Sequence, residues 1–213
     1  MIFDYFIHDT KDGMSTFKCG TRYDWYVIKK TPSVANTIVK DEQGVTTLID
    51  MKEWSWLPNS NFDLIRSILA ERGEPKCNVI QSMSSYEPRK SWMSNEFDDE
   101  FMYPVIHSTT KKEVRYKFSN RNDNGHFGVS KVIFGDSGIN EPINDVDGDY
   151  GMTQHAIGIE VRDTEEADNV ITALKSNVFA EVIKSCSWST FAIEWNMFSD
   201  FKRDFYTVIN NNK

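Results

Sequence analysis

The sequence predicts an α+β fold, β-rich in its N-terminal and central parts, with helices concentrated in the C-terminal third. Three observations lead there. Short runs of β-branched and aromatic residues, punctuated by Gly, Asn and Asp, recur through residues 1–161. Apolar stripes at helical spacing follow Thr164. A hydrophobic content of 39%, with 13% aromatic, is enough to form a core and argues against disorder.

Taken in order, residues 1–57 read as β-structure. Residues 16–30 are rich in β-branched and aromatic side chains, and 37–39 and 46–49 flank the turn-like Asp41-Glu42-Gln43-Gly44 as a hairpin. The turn-rich Leu57-Pro58-Asn59-Ser60-Asn61 marks a boundary, giving a segment 1–57 and a domain 58–213. A helix is predicted over 62–72, with Leu64, Ile65, Ile68 and Leu69 on one face, Asn61 as N-cap and Gly73 as its stop. Strands return at 103–108, 114–119, 129–134 and 156–161. Helices follow at 164–175, where Ala167, Val170, Ile171 and Leu174 form a stripe, then at 178–183 and 198–209.

The 213 residues fit one large domain or a domain with a smaller appendage. No run approaches the roughly 20 apolar residues of a membrane helix. The start, Met1-Ile2-Phe3-Asp4-Tyr5, has no basic region leading into an apolar stretch, so no secretory signal is expected. Cys19, Cys77 and Cys186 are odd in number and widely spaced, which predicts neither a disulfide framework nor a zinc site and points to the reducing cytoplasm.

Several short motifs read as turns. Gly135-Asp136-Ser137-Gly138 resembles a serine-protease nucleophile loop, but a triad also needs a base histidine and an orienting acid in a matching fold. Asp145-Val146-Asp147-Gly148-Asp149 has Ile143 where a calcium loop requires its first acid, and reads as a hairpin turn at Asp147-Gly148. His8, His107, His126 and His155 show no metal-ligand spacing, so no metal site is predicted. Cys186 reads as a buried structural thiol.

The formal net charge is −8, yet residues 109–132 hold Lys111, Lys112, Arg115, Lys117, Arg121 and Lys131 against only Glu113 and Asp123. Screening confines electrostatic reach to about 10 Å, so a local cationic face can bind a polyanion on an acidic chain. In a strand, Arg115 and Lys117 point one way and Tyr116 and Phe118 the other. The alternatives are an ordinary solvated strand and a phosphate-contacting face beside a loop, 119–128, whose Asn120, Asn122 and His126 reach base edges.

Several blocks resemble the C-terminal target-recognition region of gamma-class adenine-N6 DNA methyltransferases, the enzymes of restriction-modification systems with phage and giant-virus relatives. They are Phe17-Lys18-Cys19-Gly20-Thr21-Arg22-Tyr23-Asp24-Trp25-Tyr26-Val27, Tyr103-Pro104-Val105-Ile106-His107-Ser108-Thr109, the run His126–Gly138, Tyr150-Gly151-Met152-Thr153-Gln154-His155-Ala156, and the end from Ser187-Trp188-Ser189 through Ile193–Phe198 to Asp204-Phe205-Tyr206. Together they run through nearly the whole chain in family order. The resemblance implies that the first block closes a methyltransferase catalytic sheet and that the remainder recognises adenine-containing sites in double-stranded DNA.

The departure from that family is equally informative. Its Gly-rich cofactor loop and its Asn/Asp-Pro-Pro-Tyr/Phe motif are missing, and Pro32, Pro58, Pro75, Pro88, Pro104 and Pro142 include no adjacent pair. No catalytic residue and no cofactor are therefore expected, S-adenosylmethionine included. The expected function is a DNA-recognition module that delivers sequence readout either to a separate methyltransferase catalytic subunit or on its own. Lys111, Lys112, Arg115, Lys117, Arg121 and Lys131 would contact phosphates; Asn120, Asn122 and His126 would contact bases. The alternative is a protein-interaction module, either a methyltransferase-subunit partner or an anti-restriction decoy.

Overall fold

A computed structural model describes residues 2–32, 36–187 and 193–212. Its elements in chain order are β1 (Ile2–His8), α1 (Thr10–Phe17), β2 (Tyr23–Ile28), β3 (Thr37–Lys40), β4 (Thr46–Ile49), α2 (Phe62–Ile68), β5 (Val79–Ile80), β6 (Met93–Ser94), β7 (Tyr103–Thr109), β8 (Val114–Ser119), β9 (Lys131–Gly135), β10 (Gly138–Asp145), β11 (Gly151–Met152), β12 (Ala156–Glu160), α3 (Thr164–Leu174), α4 (Asn177–Cys186) and α5 (Phe205–Asn211). Short 3-10 turns occupy Met51–Glu53 and Trp195–Asp200. This is the α+β class the sequence predicts, strands first and helices late.

The chain forms two compact units: Met1–Ile65 with Val182–Thr190, and Arg66–Glu181 with Phe191–Lys213. It passes from one to the other inside α2 and inside α4. The turn-rich loop at 57–61 lies within the first unit. There the Asn59 amide donates to the Ser185 carbonyl at 2.7 Å, and the Ser60 and Ser185 hydroxyls meet at 3.1 Å.

The first unit is a four-stranded sheet in the order β2-β1-β3-β4, with β1 and β3 parallel and the other neighbours antiparallel. The β3–β4 hairpin stands where the turn chemistry put it. Asp41 accepts from the Gln43 and Val45 amides, and Gly44 takes φ +83°, a conformation glycine adopts at least cost. Alternation sorts the sheet into two faces. Ile7, Val39 and Ile49 are buried against Phe62 on the inner face, with Tyr5, Trp54 and Leu57 packed beside them.

Within this unit α1 corrects the expectation of continuous β-structure from Thr16. Asp9 caps the helix, its carboxylate accepting from the Lys11 and Asp12 amides. Gly13, which argues against a helix by propensity, is required by packing: a Cβ there would lie 1.8 Å from the Thr21 carbonyl oxygen. The α2 helix also ends earlier than predicted, at Ile68 rather than Arg72. Asn61, immediately before the helix, has φ +54°; its carbonyl accepts from the Ile65 amide at 3.0 Å and its side-chain amide donates to the Ser185 hydroxyl.

The second unit holds two sheets, β10-β9-β12-β5 and β11-β7-β8-β6. Ile106, Ile133, Met152 and Ala156, from β7, β9, β11 and the start of β12, form one buried cluster. Phe134, Phe179, Phe198, Phe201 and Phe205 form a second, with neighbouring ring centroids 5.3–6.5 Å apart. The predicted helix 198–209 is two pieces, the turn Trp195–Asp200 and α5. Strand-like bridges Leu69–Phe201 and Lys76–Lys202 interrupt it, yet Phe198, Phe201 and Phe205 stay buried as their spacing implied.

β10 is a strand the sequence did not suggest. It pairs with β9 through the Asp136–Ser137 turn, so Gly135–Gly138 is a connection between strands. The turn at Asp147–Gly148 is not a hairpin, because β10 pairs with β9 while β11 pairs with β7 in the other sheet. Gly148 takes φ +74°, and a Cβ there would meet the Val129 nitrogen at 2.7 Å. Cys186 is buried, and burial pushes its thiol up to about 12. Trp188 and Ser189 of the last family-like block lie outside the described residues.

Candidate nucleic-acid interface

The site is built on the β7–β8 hairpin of the second unit. Thr110 closes its tip: the hydroxyl accepts from the Lys112 and Glu113 amides at 3.3 and 3.1 Å and donates to the Glu113 carbonyl at 3.0 Å. That turn leaves the Lys111 and Lys112 side chains exposed. Along β8, Arg115 is exposed and Lys117 half-buried. The Arg115 Nε donates to Glu113 Oε1 at 3.0 Å in a solvent-facing pair, and the Lys117 ammonium donates to the Asn95 side-chain oxygen. On the alternate positions Tyr116 meets Tyr150, and Phe118 meets Phe97.

Downstream, Asn120, Arg121 and Asn122 are exposed. Arg121 is already engaged. It makes a two-bond pair with Asp123 at 2.6 and 2.8 Å, and its guanidinium lies 5.4 Å from the Trp92 ring centre. The Asn120 side-chain amide donates to Glu100 at 3.3 Å.

Two of the expected site residues are interior instead. Lys131 is 0% exposed, and its ammonium donates to Asp145 Oδ2 at 2.5 Å, the His126 carbonyl at 2.8 Å and the Val129 carbonyl at 3.1 Å. All three donors are consumed and none is left for a phosphate. Burial lowers the pKa of Lys131 and raises that of Asp145, each toward its neutral form, while the bond between them opposes both shifts. His126 is buried as well. Its Nδ1 accepts from the Met152 amide at 3.1 Å, and burial beside Lys131 pushes the ring down to about 4. It cannot reach a base edge from there.

The hairpin has neighbours that sequence reasoning passed over. His107, on β7, is half-buried, and burial lowers its pKa, with further lowering from His155, Lys117 and Arg115. Thr153 donates its hydroxyl proton to the His107 carbonyl, so the 3.1 Å contact between Thr153 Oγ1 and His107 Nδ1 makes Nδ1 the donor. The His155 ring lies edge-on to His107 at 5.3 Å, and its Nδ1 is 3.0 Å from Asp136 Oδ2. His107 and His155 belong to different family-like blocks, and their spacing of 48 positions carries no local motif. Only the pairing of β11 with β7 brings them together. Among the described residues, no three of His, Cys, Asp and Glu converge to hold a metal ion, and no helix is long and apolar enough to cross a membrane.

No protein-family model matches this chain, and no curated protein matches it in sequence. Among solved structures it is similar to the crystal structure of the HsdS subunit from Thermoanaerobacter tengcongensis. That match has 10% identity and a TM-score of 0.39, and covers 70% of this chain and 41% of that one. The chain thus spans about two-fifths of that subunit's length. A likeness at this level assigns neither activity nor partner.

Proposed function

We propose that this chain is a DNA-recognition module of an adenine-N6 methyltransferase or related restriction-modification system, holding duplex DNA along the β7–β8 hairpin. The observation that carries the reading is the grouping of Lys111, Lys112, Arg115 and Lys117 on one solvent-facing hairpin, with His107 beside them. Cations so placed neutralise backbone phosphates, and the exposed Asn120 and Asn122 stand next in the chain to read base edges. The family-like blocks fit the same role. The missing Pro-Pro motif leaves methyl transfer to a separate catalytic subunit in the cytoplasm, and the domain 58–213 carries the DNA contact.

Of the six expected phosphate contacts, Lys131 is buried and Arg121 is paired with Asp123, which leaves four. Four phosphate contacts predict a slope of log K against log salt of about −3 to −4. Lys111→Ala and Lys112→Ala should each weaken binding to any duplex and make the slope shallower by about 1. Fluorescence anisotropy on duplexes at several salt concentrations reads both quantities. A flat salt response, or alanine variants that bind as the parent does, would overturn the proposal.

A further inference from the structure

His107 and His155 have a chemistry of their own, apart from the cationic hairpin. His107 is the extra residue of a β-bulge, at the one register shift in the β7–β8 pairing. Bulges of this kind re-aim side chains at functional sites. The His107 ring meets that of His155, the residue just before β12, with centres 5.3 Å apart. β7 and β12 belong to different sheets of the second unit, so the pair joins the two.

Hydrogen bonding fixes the same tautomer in both rings. His107 Nδ1 donates to the Thr153 hydroxyl at 3.1 Å, and His155 Nδ1 donates to the Asp136 carboxylate at 3.0 Å. In each neutral ring the lone pair is therefore on Nε2. Metal-binding histidines are oriented in this way, the nitrogen remote from the metal bonded to a protein oxygen. Two imidazoles that share one tetrahedral zinc at about 2.0–2.1 Å have ring centres about 5 Å apart, and the observed spacing meets that requirement. Beside them, the Gln154 side-chain nitrogen stands 3.4 Å from His155 Nε2, and the Gln154 side-chain oxygen is buried with no hydrogen-bond partner among the described residues. Turning that amide over puts the oxygen where the nitrogen is, at about the separation of two ligands of one zinc ion.

We propose that His107 Nε2 and His155 Nε2 hold one Zn2+ ion between the two sheets, with the Gln154 side-chain oxygen and water as the remaining ligands. Imidazole nitrogens select zinc and its transition-metal neighbours over magnesium and calcium. A phosphate would find only lone pairs there. The nearby cations act on His107 by charge, but the Arg115 guanidinium is paired with Glu113 and the Lys117 ammonium with Asn95, and Asp136 places a negative charge behind His155. With two histidines in place of the three or four protein ligands of most zinc sites, the ion is held reversibly.

Calorimetric titration of the full chain with zinc chloride, after chelator treatment and at about pH 7.5, tests this. The parent should take up one equivalent, and its melting temperature should rise with zinc and not with magnesium. His155→Gln, at an exposed position, and His107→Gln should each weaken uptake at least tenfold and abolish the rise in melting temperature. His8→Gln should leave both unchanged, because both nitrogens of that ring are already engaged, with Asp12 and Trp25. Long-range proton–nitrogen NMR should show zinc shifting the Nε2 signals of two histidines. The proposal is overturned by a parent without saturable uptake up to about 1 mM zinc, by His155→Gln binding as the parent does, or by loss of uptake in His8→Gln alone. All are read without nucleic acid, so they leave the DNA reading untouched.

Discussion

The two units invert the usual distribution of polarity in opposite ways. The first turns apolar side chains outward, with Trp25, Val27, Ile38 and Leu48 exposed on its sheet. The second seals charged and polar groups inside: Lys131, Asp145, His126 and Glu166 are all buried. An outward apolar face costs little folding stability but makes a surface that associates. An inward charge costs several kcal/mol of desolvation unless its partners are all present, and so ties the fold to a few bonds. Stability should therefore be concentrated at a few polar positions of the second unit, while substitutions on the first unit's outer face should change association more than folding.

Breaking the buried pair gives the largest effect. Asp145 accepts from Lys131 and also from the Asp149 amide at 2.7 Å, so it organises the turn that carries the chain from β10 to β11. Asp145→Ala or Lys131→Ala leaves one uncompensated charge in the interior and should cost about 3 to 5 kcal/mol in urea unfolding. Replacing Lys131 by Met and Asp145 by Leu together should recover much of that loss, because no stranded charge remains. If either single change costs no more than a surface substitution, the contrast between the units fails.

Acid should act on the second unit through His126. The folded ring titrates near 4, whereas the unfolded ring keeps its ordinary value of 6.5. Between these values the unfolded chain binds more protons, so stability is complete above about pH 6.5 and falls as pH drops toward 4. The total is about 3 kcal/mol, of which about 2 is lost between pH 7 and pH 5. His107, also lowered by burial, adds to the same trend. His126→Asn keeps an acceptor for the Met152 amide and removes the titration, so its unfolding midpoint should vary less between pH 7 and 5 than that of the parent. An equal pH dependence in both would show that His126 does not control it.

These positions differ in how far the sequence could reveal them. The β3–β4 hairpin and α3 were legible because their signals are local. Asp41 and Gly44 build one turn. Asp163 caps α3 by accepting from the Glu166 amide, and the Ala167–Val170–Leu174 stripe follows directly. α1 was hidden because Gly13 lowers helix propensity for a reason, the approach of Thr21, that lies outside the helix. β10 was hidden by its asparagines and Pro142, which an edge strand tolerates. Lys131 misled most. A lysine opening the run Val132-Ile133-Phe134 reads as a solvated strand end, and its burial depends on Asp145, fourteen positions later. The cations of the proposed interface were legible for the converse reason: Lys111 and Lys112 sit in a turn whose chemistry is local, and Arg115 and Lys117 follow on one strand, whereas the neighbouring His107 and His155 meet only through tertiary pairing.

The smallest stability effect is expected at the exposed Arg115–Glu113 pair, and it separates folding from binding most cleanly. Both side chains are about 60% exposed at 3.0 Å, a geometry in which solvent screening cancels most of the attraction. Glu113→Ala should change stability by no more than about 0.5 kcal/mol. The same substitution removes the one acid from the hairpin tip and releases Arg115 toward a phosphate, so duplex affinity should rise severalfold at low salt and the salt slope should steepen. Thermal melting and anisotropy on the same preparation read the two quantities. Weaker binding with unchanged stability would mean that Glu113 holds Arg115 in its binding geometry, and that the hairpin binds by a shaped contact more than by its summed charge.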